Sequence, residues 1–304
     1  MRNLLERVRD GEILVADGAM GTMLMEFGLK PGEPPESFNL TRPQVLEEIA
    51  RLYLDAGADI VQTNTFGASP LRLALHSLDG KTEKINRNAV LAARKAAKDL
   101  AYVVASCGPS GKLLKPYGDT EHEEIYSSFE RQMKALISAG VDAISIETMT
   151  DLTEVTLAIK AAKTVSPSTP VMAAMTFDPT PKGFYTVMGT GIEEAARGLK
   201  EAGADLIGSN CGNGIENMVK IAKEFKKCSK LPIIIQSNAG IPEMQGDKPA
   251  WPETPEFMAE TAKELVLLGV SIIGGCCGTT PEHIRAIRKT VELQRRSAQS
   301  RELS

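Results

Sequence analysis

Residues 268–278 read Leu268-Gly269-Val270-Ser271-Ile272-Ile273-Gly274-Gly275-Cys276-Cys277-Gly278, LGVSIIGGCCG. A short, continuously apolar run rich in Val and Ile and bounded by turn formers predicts a strand buried on both faces, as in a parallel sheet. Gly269 predicts the left-handed residue that closes a preceding helix, a conformation glycine adopts at little cost. The segment is therefore read as helix end, strand, loop.

The same pattern recurs upstream in AGADI at Ala56, AGVDAI at Ala139 and AGADLI at Ala202. Extended to every short apolar run, it gives strands in ILVADG from Ile13, ADIVQTNTF from Ala58, AYVVASCGPS from Ala101, DAISIETM from Asp142, PVMAAMTFD from Pro170, ADLIGSNCG from Ala204, PIIIQSNAG from Pro232 and VSIIGGCCG from Val270. Helical stretches lie between them; Ile125, Phe129, Met133, Leu136 and Ile137 mark one apolar face at helical spacing. Eight βα units in 304 residues, with no G-x-G-x-x-G after the first strand, predict a single (β/α)8 TIM-type barrel in the α/β class. The barrel is expected over 1–296, with 297–304 (SAQSRELS) as a polar C-terminal tail and no second domain. Loops over the barrel mouth are expected at 27–41 and from Ile241 (IPEMQGDKPAWPE).

The formal net charge of −4, without a long basic run, argues against a nucleic-acid or anionic-membrane partner and is compatible with a small zwitterionic ligand. No apolar run has the length of a membrane span or a signal h-region, which predicts a soluble, cytoplasmic protein. Five cysteines, an odd count in a long chain, argue for reduced thiols rather than a disulfide framework.

In a barrel of this kind the C-terminal ends of the strands converge on one face. Cys211 ends the sixth strand; Cys276 and Cys277 end the eighth. Adjacent residues on a regular strand point to opposite faces, so both cysteines reach one centre only if the strand has broken into a turn, which Gly274, Gly275 and Gly278 permit. Three thiolates leave one position open on a tetrahedral zinc, the arrangement of a catalytic site. Two plainer readings stand beside this one: three small buried hydrophobes, or a Gly274-Gly275 phosphate turn, for which little basic charge lies nearby. Cys228 in KKCSKLP falls away from the mouth as a packing or surface residue. Cys107 is expected to point toward the functional face as a pocket residue, and His283, after Thr280 as N-cap and Pro281, is expected at an ordinary solvated helix position.

Taken together, DGAMGT at Asp17, QTNTF at Gln62, IETM at Ile146, SNCG at Ser209 and GGCCGTTPEHI at Gly274 resemble the homocysteine S-methyltransferase family over nearly the whole chain. The resemblance implies a zinc barrel that methylates the thiol of homocysteine to give methionine. It also implies Cys211, Cys276 and Cys277 as the Zn2+ ligands, with the substrate sulfur in the open position. Glu147 resembles the family's partner for the substrate ammonium, and Asp17 is a second acid there. The turn of Gly18, Ala19 and Gly21 that follows Asp17 is expected to expose backbone N–H groups, and Ser106 to offer a hydroxyl to the substrate carboxylate. Asn64, Asn210 and Asn238 also end strands and are expected mainly to orient loops and ligands.

Within the family the donor varies among methylcobalamin on a separate domain, S-methylmethionine, S-adenosylmethionine and betaine. The sequence is most similar to the homocysteine-binding barrel module of cobalamin-dependent methionine synthases. It has no D-x-H-x-x-G run around its three histidines (His76, His122, His283), and one Trp, five Tyr and eight Phe supply few rings for a betaine cage. The expected donor is methylcobalamin on a corrinoid-binding partner domain or protein. The alternative of a different class is a non-catalytic zinc- or thiol-binding barrel, in which Cys107 would complete a closed site.

Overall fold

The computed structural model describes residues 2–246 and 248–302. Each expected strand forms: β1 (Leu14–Val15), β2 (Ile60–Gln62), β3 (Tyr102–Cys107), β4 (Ala143–Met149), β5 (Val171–Met175), β6 (Leu206–Asn210), β7 (Ile233–Ser237) and β8 (Ile272–Gly275). They pair in parallel in chain order; β8 returns to β1, and the parallel bridge between Ala16 and Ile60 closes a (β/α)8 barrel. A helix follows each strand: α1 (Pro43–Asp55), α2 (Thr82–Ala97), α3 (His122–Ser138), α4 (Leu152–Val165), α5 (Ile192–Ala202), α6 (Ile215–Cys228), α7 (Pro255–Leu267) and α8 (Pro281–Glu302). The face of α3 read from the sequence is the one it buries, through Ile125, Phe129, Met133 and Leu136.

Alternation along the strands sorts side chains into two cores. Val103, Ala105, Ile144, Ile146, Ala173, Ile207, Ile233, Ile235 and Ile273 face the helices. Leu14, Ile60, Val104, Ala143, Met172, Leu206, Ile234 and Ile272 fill the barrel. The N-terminal helix Leu4–Arg9 lays Leu4 and Val8 into the bottom of that interior. Each large side chain so buried contributes about 1.5–3 kcal/mol.

The sequence repeat has a structural content beyond its glycines, of which Gly57, Gly140, Gly203 and Gly269 all take positive φ. Asp59, Asp142 and Asp205 each turn an Oδ2 back to the previous strand, accepting the N–H of Val15 at 2.9 Å, Val103 at 2.7 Å and Val171 at 2.8 Å. A cation closes each one: Arg288 at 2.9 Å, Arg94 at 2.8 Å and Lys163 at 2.7 Å. Asp59 also receives Arg7 at 3.3 Å and is the least exposed of the three. Truncating it leaves the Val15 N–H without its acceptor and takes from Arg7 and Arg288 one of their two carboxylate partners, the others being Glu12 and Glu292. Asp59→Ala is therefore expected to lower stability by about 1–3 kcal/mol in urea unfolding; an unchanged midpoint would show that the repeat aspartates carry no load.

The expected loops sit on the C-terminal face, with more structure than foreseen. Pro35–Ser37 forms a 3-10 turn and Phe38–Thr41 a short helix. Glu243–Gln245 and Lys248–Ala250 pair as a hairpin, and so do Asp178–Thr180 and Gly183–Tyr185, which the sequence reading missed. Helix α8 continues to Glu302 through most of the stretch expected as a tail; Leu303 and Ser304 lie outside the described residues. Among the described residues, no helix is long and apolar enough to cross a membrane.

Candidate metal and substrate site

At the C-terminal end of the barrel the inward positions turn from apolar to polar. Gln62, Ser106, Ser145, Glu147 and Gln236 lie two or four residues beyond the inward-facing Ile60, Val104, Ala143 and Ile234, and so face the same interior. Glu147 is the hub: its Oε2 accepts from Gln62 Nε2 at 2.7 Å and Ser145 Oγ at 3.1 Å, and its Oε1 accepts from Ser106 Oγ. Gln236 Nε2 donates to Gln62 Oε1 at 3.2 Å, and Asp17 Oδ2 accepts the Gln62 N–H at 2.7 Å. Asp17 Oδ1, Gln236 Oε1 and Asn238 Oδ1 are buried with no hydrogen-bond partner.

Burial raises both acids. Asp17 is pushed up to about 8, chiefly by desolvation, with the Gln62 N–H opposing and the nearby Glu147 adding to the rise. Glu147 is also raised by desolvation, against the lowering effect of its bonds to Ser106, Gln62 and Ser145, and the charge on Cys211 raises it further. Two buried acids, one of them with an unpartnered carboxylate oxygen, form a site that a cation with N–H donors would complete.

Beside them stand the three thiols. Cys211 follows the end of β6 at φ 60°, in the left-handed region, and its N–H donates to Gln236 O at 3.1 Å. Thr148, next to Glu147, has φ 59°. The side chain of Asn210, the residue before Cys211, braces Thr148: its Oδ1 accepts the Thr148 N–H at 2.7 Å, and its Nδ2 donates to Thr148 Oγ1 at 2.8 Å. Non-glycine residues held in this region cost about 1–3 kcal/mol and persist where surroundings over-determine them.

Strand β8 ends at Gly275, and Cys276–Thr279 form a turn. Cys276 N donates to Ser237 O at 2.7 Å, Thr279 Oγ1 donates to Cys276 O at 2.7 Å, and Ala239 N donates to Cys277 O at 3.0 Å. The turn closes tightly on Gly275, where a Cβ would lie 2.2 Å from Thr279 Oγ1.

The three sulfur atoms lie within 4.8 Å of one another, with Cys211 Sγ and Cys277 Sγ at 3.9 Å. A tetrahedral ion with metal–sulfur bonds of about 2.3 Å separates its sulfurs by roughly 3.8 Å, so the cluster has the dimensions of a metal site. Its electrostatics agree. Cys211 is pulled down to about 3 by hydrogen bonds from the Cys276 and Cys277 thiols. Contacts with Cys211 and Cys277 hold Cys276 well above the ordinary thiol range, and the contact with Cys211, with burial added and Cys276 opposing, pushes Cys277 up to about 12. Three thiols at this spacing share one negative charge until a cation compensates the rest.

The model of the homocysteine S-methyltransferase family matches residues 14–291. The chain belongs to that family. Curated relatives include methionine synthase of Mycobacterium leprae, 32% identical over 95% of this chain and 25% of that protein, and methionine synthase of Mycobacterium tuberculosis, 32% identical over 92% of this chain and 24% of that protein. The chain thus spans about a quarter of the length of the curated relatives it matches. Among solved structures, the metallated form of the homocysteine methyltransferase MmuM from Escherichia coli superposes with a TM-score of 0.79 at 23% identity, over 94% of this chain and 99% of that one, a likeness of fold.

Read as a homocysteine S-methyltransferase, the chain brings Cys211, Cys276, Cys277, Asp17 and Glu147 to one mouth, while several other expected roles are redistributed. Ser106 gives its hydroxyl proton to Glu147 and so is not free to donate it to a substrate carboxylate. The Ala19 N–H is taken by Thr279 Oγ1 at 3.1 Å. Gly18 is where the chain passes closest to that threonine: a Cβ there would lie 2.6 Å from Thr279 Oγ1 and 2.9 Å from the Tyr53 hydroxyl oxygen. Asn64 holds the 27–41 loop, its Nδ2 donating to Pro35 O and to Asn39 Oδ1, each at 2.8 Å. Asn210 has the supporting role expected of it, with Nδ2 also 3.8 Å from Cys276 Sγ.

Cys107 does not face the mouth. Strand β3 stays regular through it, so with Ser106 inward Cys107 points outward, buried against the helices with its thiol donating to Gln132 Oε1 at 3.3 Å. A closed site with Cys107 as fourth ligand is excluded by this geometry. Cys228 is exposed at the end of α6, as expected. His283 is not a solvated helix residue: it is buried, and both ring nitrogens are engaged. The members missed were Gln62, Ser145, Gln236 and Thr279. The first three show in the sequence only when inward parity is counted along each strand.

Proposed function

We propose that this chain is a zinc-dependent homocysteine S-methyltransferase that takes its substrate as thiolate and methylates it to methionine. The observation that carries this reading is the joining, at one mouth, of three sulfur atoms within 4.8 Å of each other to two buried acids, one of which, Asp17, keeps a carboxylate oxygen without a partner. Homocysteine has a thiol at one end and an ammonium at the other, and matches both halves. Cys211, Cys276 and Cys277 would hold Zn2+. Bound zinc supplies the Lewis acidity that lets a thiol of ordinary pKa, about 8.5, ionise at neutral pH.

The chain's own residues do the positioning. Glu147, fixed by Gln62, Ser106 and Ser145, presents its carboxylate to the ammonium, and Asp17 Oδ1 takes a second ammonium N–H. Both acids sit deep enough to exclude water from the charge pair, which strengthens it. Asn210 keeps Glu147 and Cys276 in fixed relation.

The donor we favour is methylcobalamin on a separate corrinoid-binding domain or protein. Support comes from the sequence's similarity to the barrel module of cobalamin-dependent methionine synthases and from curated relatives that are methionine synthases. Free cysteines fit the reducing conditions of the cytoplasm, where we place the protein.

Zinc-loaded protein and homocysteine, offered methylcobalamin, S-methylmethionine, S-adenosylmethionine and betaine in turn, are expected to form methionine from methylcobalamin. Turnover with only another of these would replace the donor; methionine from none would defeat the reading. In weakly buffered solution near pH 7, homocysteine binding is expected to release a proton as its thiol ionises. No release would mean that the thiol stays protonated.

A further inference from the structure

We propose that His283 is a positioning residue, which clamps the Trp251 loop across the two cysteine-bearing loops and so sets the distance of Cys211 from Cys276 and Cys277. The link runs through Glu253. Its carboxylate Oε2 accepts the Ile215 N–H at 3.0 Å, at the start of the helix that follows Cys211. The approach is so close that a Cβ on Gly214 would lie 1.8 Å from Glu253 Oε1. Glu253 N donates to Ala239 O at 3.0 Å, and Ala239 N in turn donates to Cys277 O at 3.0 Å.

His283 closes the circuit. Its Nδ1 accepts the Thr280 N–H at 3.1 Å, three residues after Cys277, so the proton resides on Nε2, which donates to Glu253 O at 2.9 Å. Trp251, two residues before Glu253, packs against Gly278 in the cysteine turn: a Cβ on Gly278 would come within 2.1 Å of Trp251 Cγ and Cδ2. One buried imidazole thus joins the loop after β6, the loop after β7 and the turn after β8. A plain helix cap needs only the Thr280 half of this arrangement.

The two halves can be separated by substitution in the full chain. Asn at 283 places an oxygen where Nδ1 accepts from Thr280 but does not reach Glu253; Gln reaches Glu253 from the position of Nε2. Trp251 is the one tryptophan, so acrylamide quenching of its fluorescence reads loop closure directly. His283→Ala and His283→Asn are expected to raise quenching and to weaken zinc about 10–100-fold in competition with a chromogenic chelator, as loss of residues that orient metal ligands does. His283→Gln should stay near wild type in both. Wild-type quenching and zinc affinity in His283→Asn would reduce the residue to a helix cap and overturn the proposal, and so would a drop in thermal stability alone. If His283→Ala does not fold, the Asn and Gln pair decides. The zinc arm rests on Cys211, Cys276 and Cys277 being the metal ligands; quenching in metal-free protein tests the clamp even if they are not.

Discussion

Cys211→Ala, Cys276→Ala and Cys277→Ala are each expected to lose methionine formation and two to three decades of zinc affinity, while Cys228→Ala retains both. The size follows from sharing: a four-ligand zinc site is worth about 10–16 kcal/mol, so one ligand carries roughly a quarter of it. None of the three has a substitute nearby. Among the described residues, these are the only metal-ligating side chains that cluster, and Cys107, the remaining buried thiol, faces the opposite side of its strand. Cys228 is exposed, its thiol directed at Glu224 O and Phe225 O of its own helix. Zinc per protein measured with a chromogenic chelator, beside turnover, checks the set. A full zinc equivalent at wild-type affinity in Cys276→Ala or Cys277→Ala would remove the three-thiolate assignment.

Glu147→Gln is expected to weaken homocysteine by about 1.5–3 kcal/mol, one to two decades in affinity, while zinc stays bound. The substitution tests charge more than shape. A carboxamide at 147 would turn an N–H toward Gln62, but the Gln62 and Gln236 amides can flip together, since Gln236 Oε1 is without a partner. What is lost is the anion facing the ammonium. The variant should therefore also lose preference for homocysteine over a thiol lacking the amino group. Undiminished discrimination would move the ammonium to Asp17.

The acids also set the sign of the pH dependence. An acid raised by burial is neutral below its pKa and gives the ammonium no charge. Affinity for 2-aminobutyrate, which has the amino-acid end of the substrate but no thiol, should thus climb as pH rises through about 8, where Asp17 ionises. Asp17→Asn should flatten that rise in calorimetric titrations.

The barrel was legible because its strands are short Val/Ile runs buried on both faces, and because each repeat marks a helix end with glycine just before a strand. The cysteine pair was legible for a related reason: glycines flank it, and β8 does stop at Gly275. The same alternation rule turns Cys107 away from the mouth. With no glycine to break the strand before it, Ser106 and Cys107 had to face opposite ways. The polar collar of Gln62, Ser145 and Gln236 was hidden inside runs that read as apolar on average. His283 misled because Thr280 and Pro281 are strong local start signals, whereas its burial comes from the Glu253 loop, distant in sequence. A sequence does not show which donors the protein itself engages, as it does the Ala19 N–H and the Ser106 hydroxyl.

On the proposed reading, the three cysteines leave the metal one position for the substrate's sulfur. X-ray absorption at the zinc edge, recorded on the zinc-loaded protein before and after homocysteine, tests it most directly. Cys211, Cys276 and Cys277 are expected to supply the sulfur shell at first, and homocysteine to add one more sulfur near 2.3 Å. A sulfur shell unchanged by saturating homocysteine would contradict it.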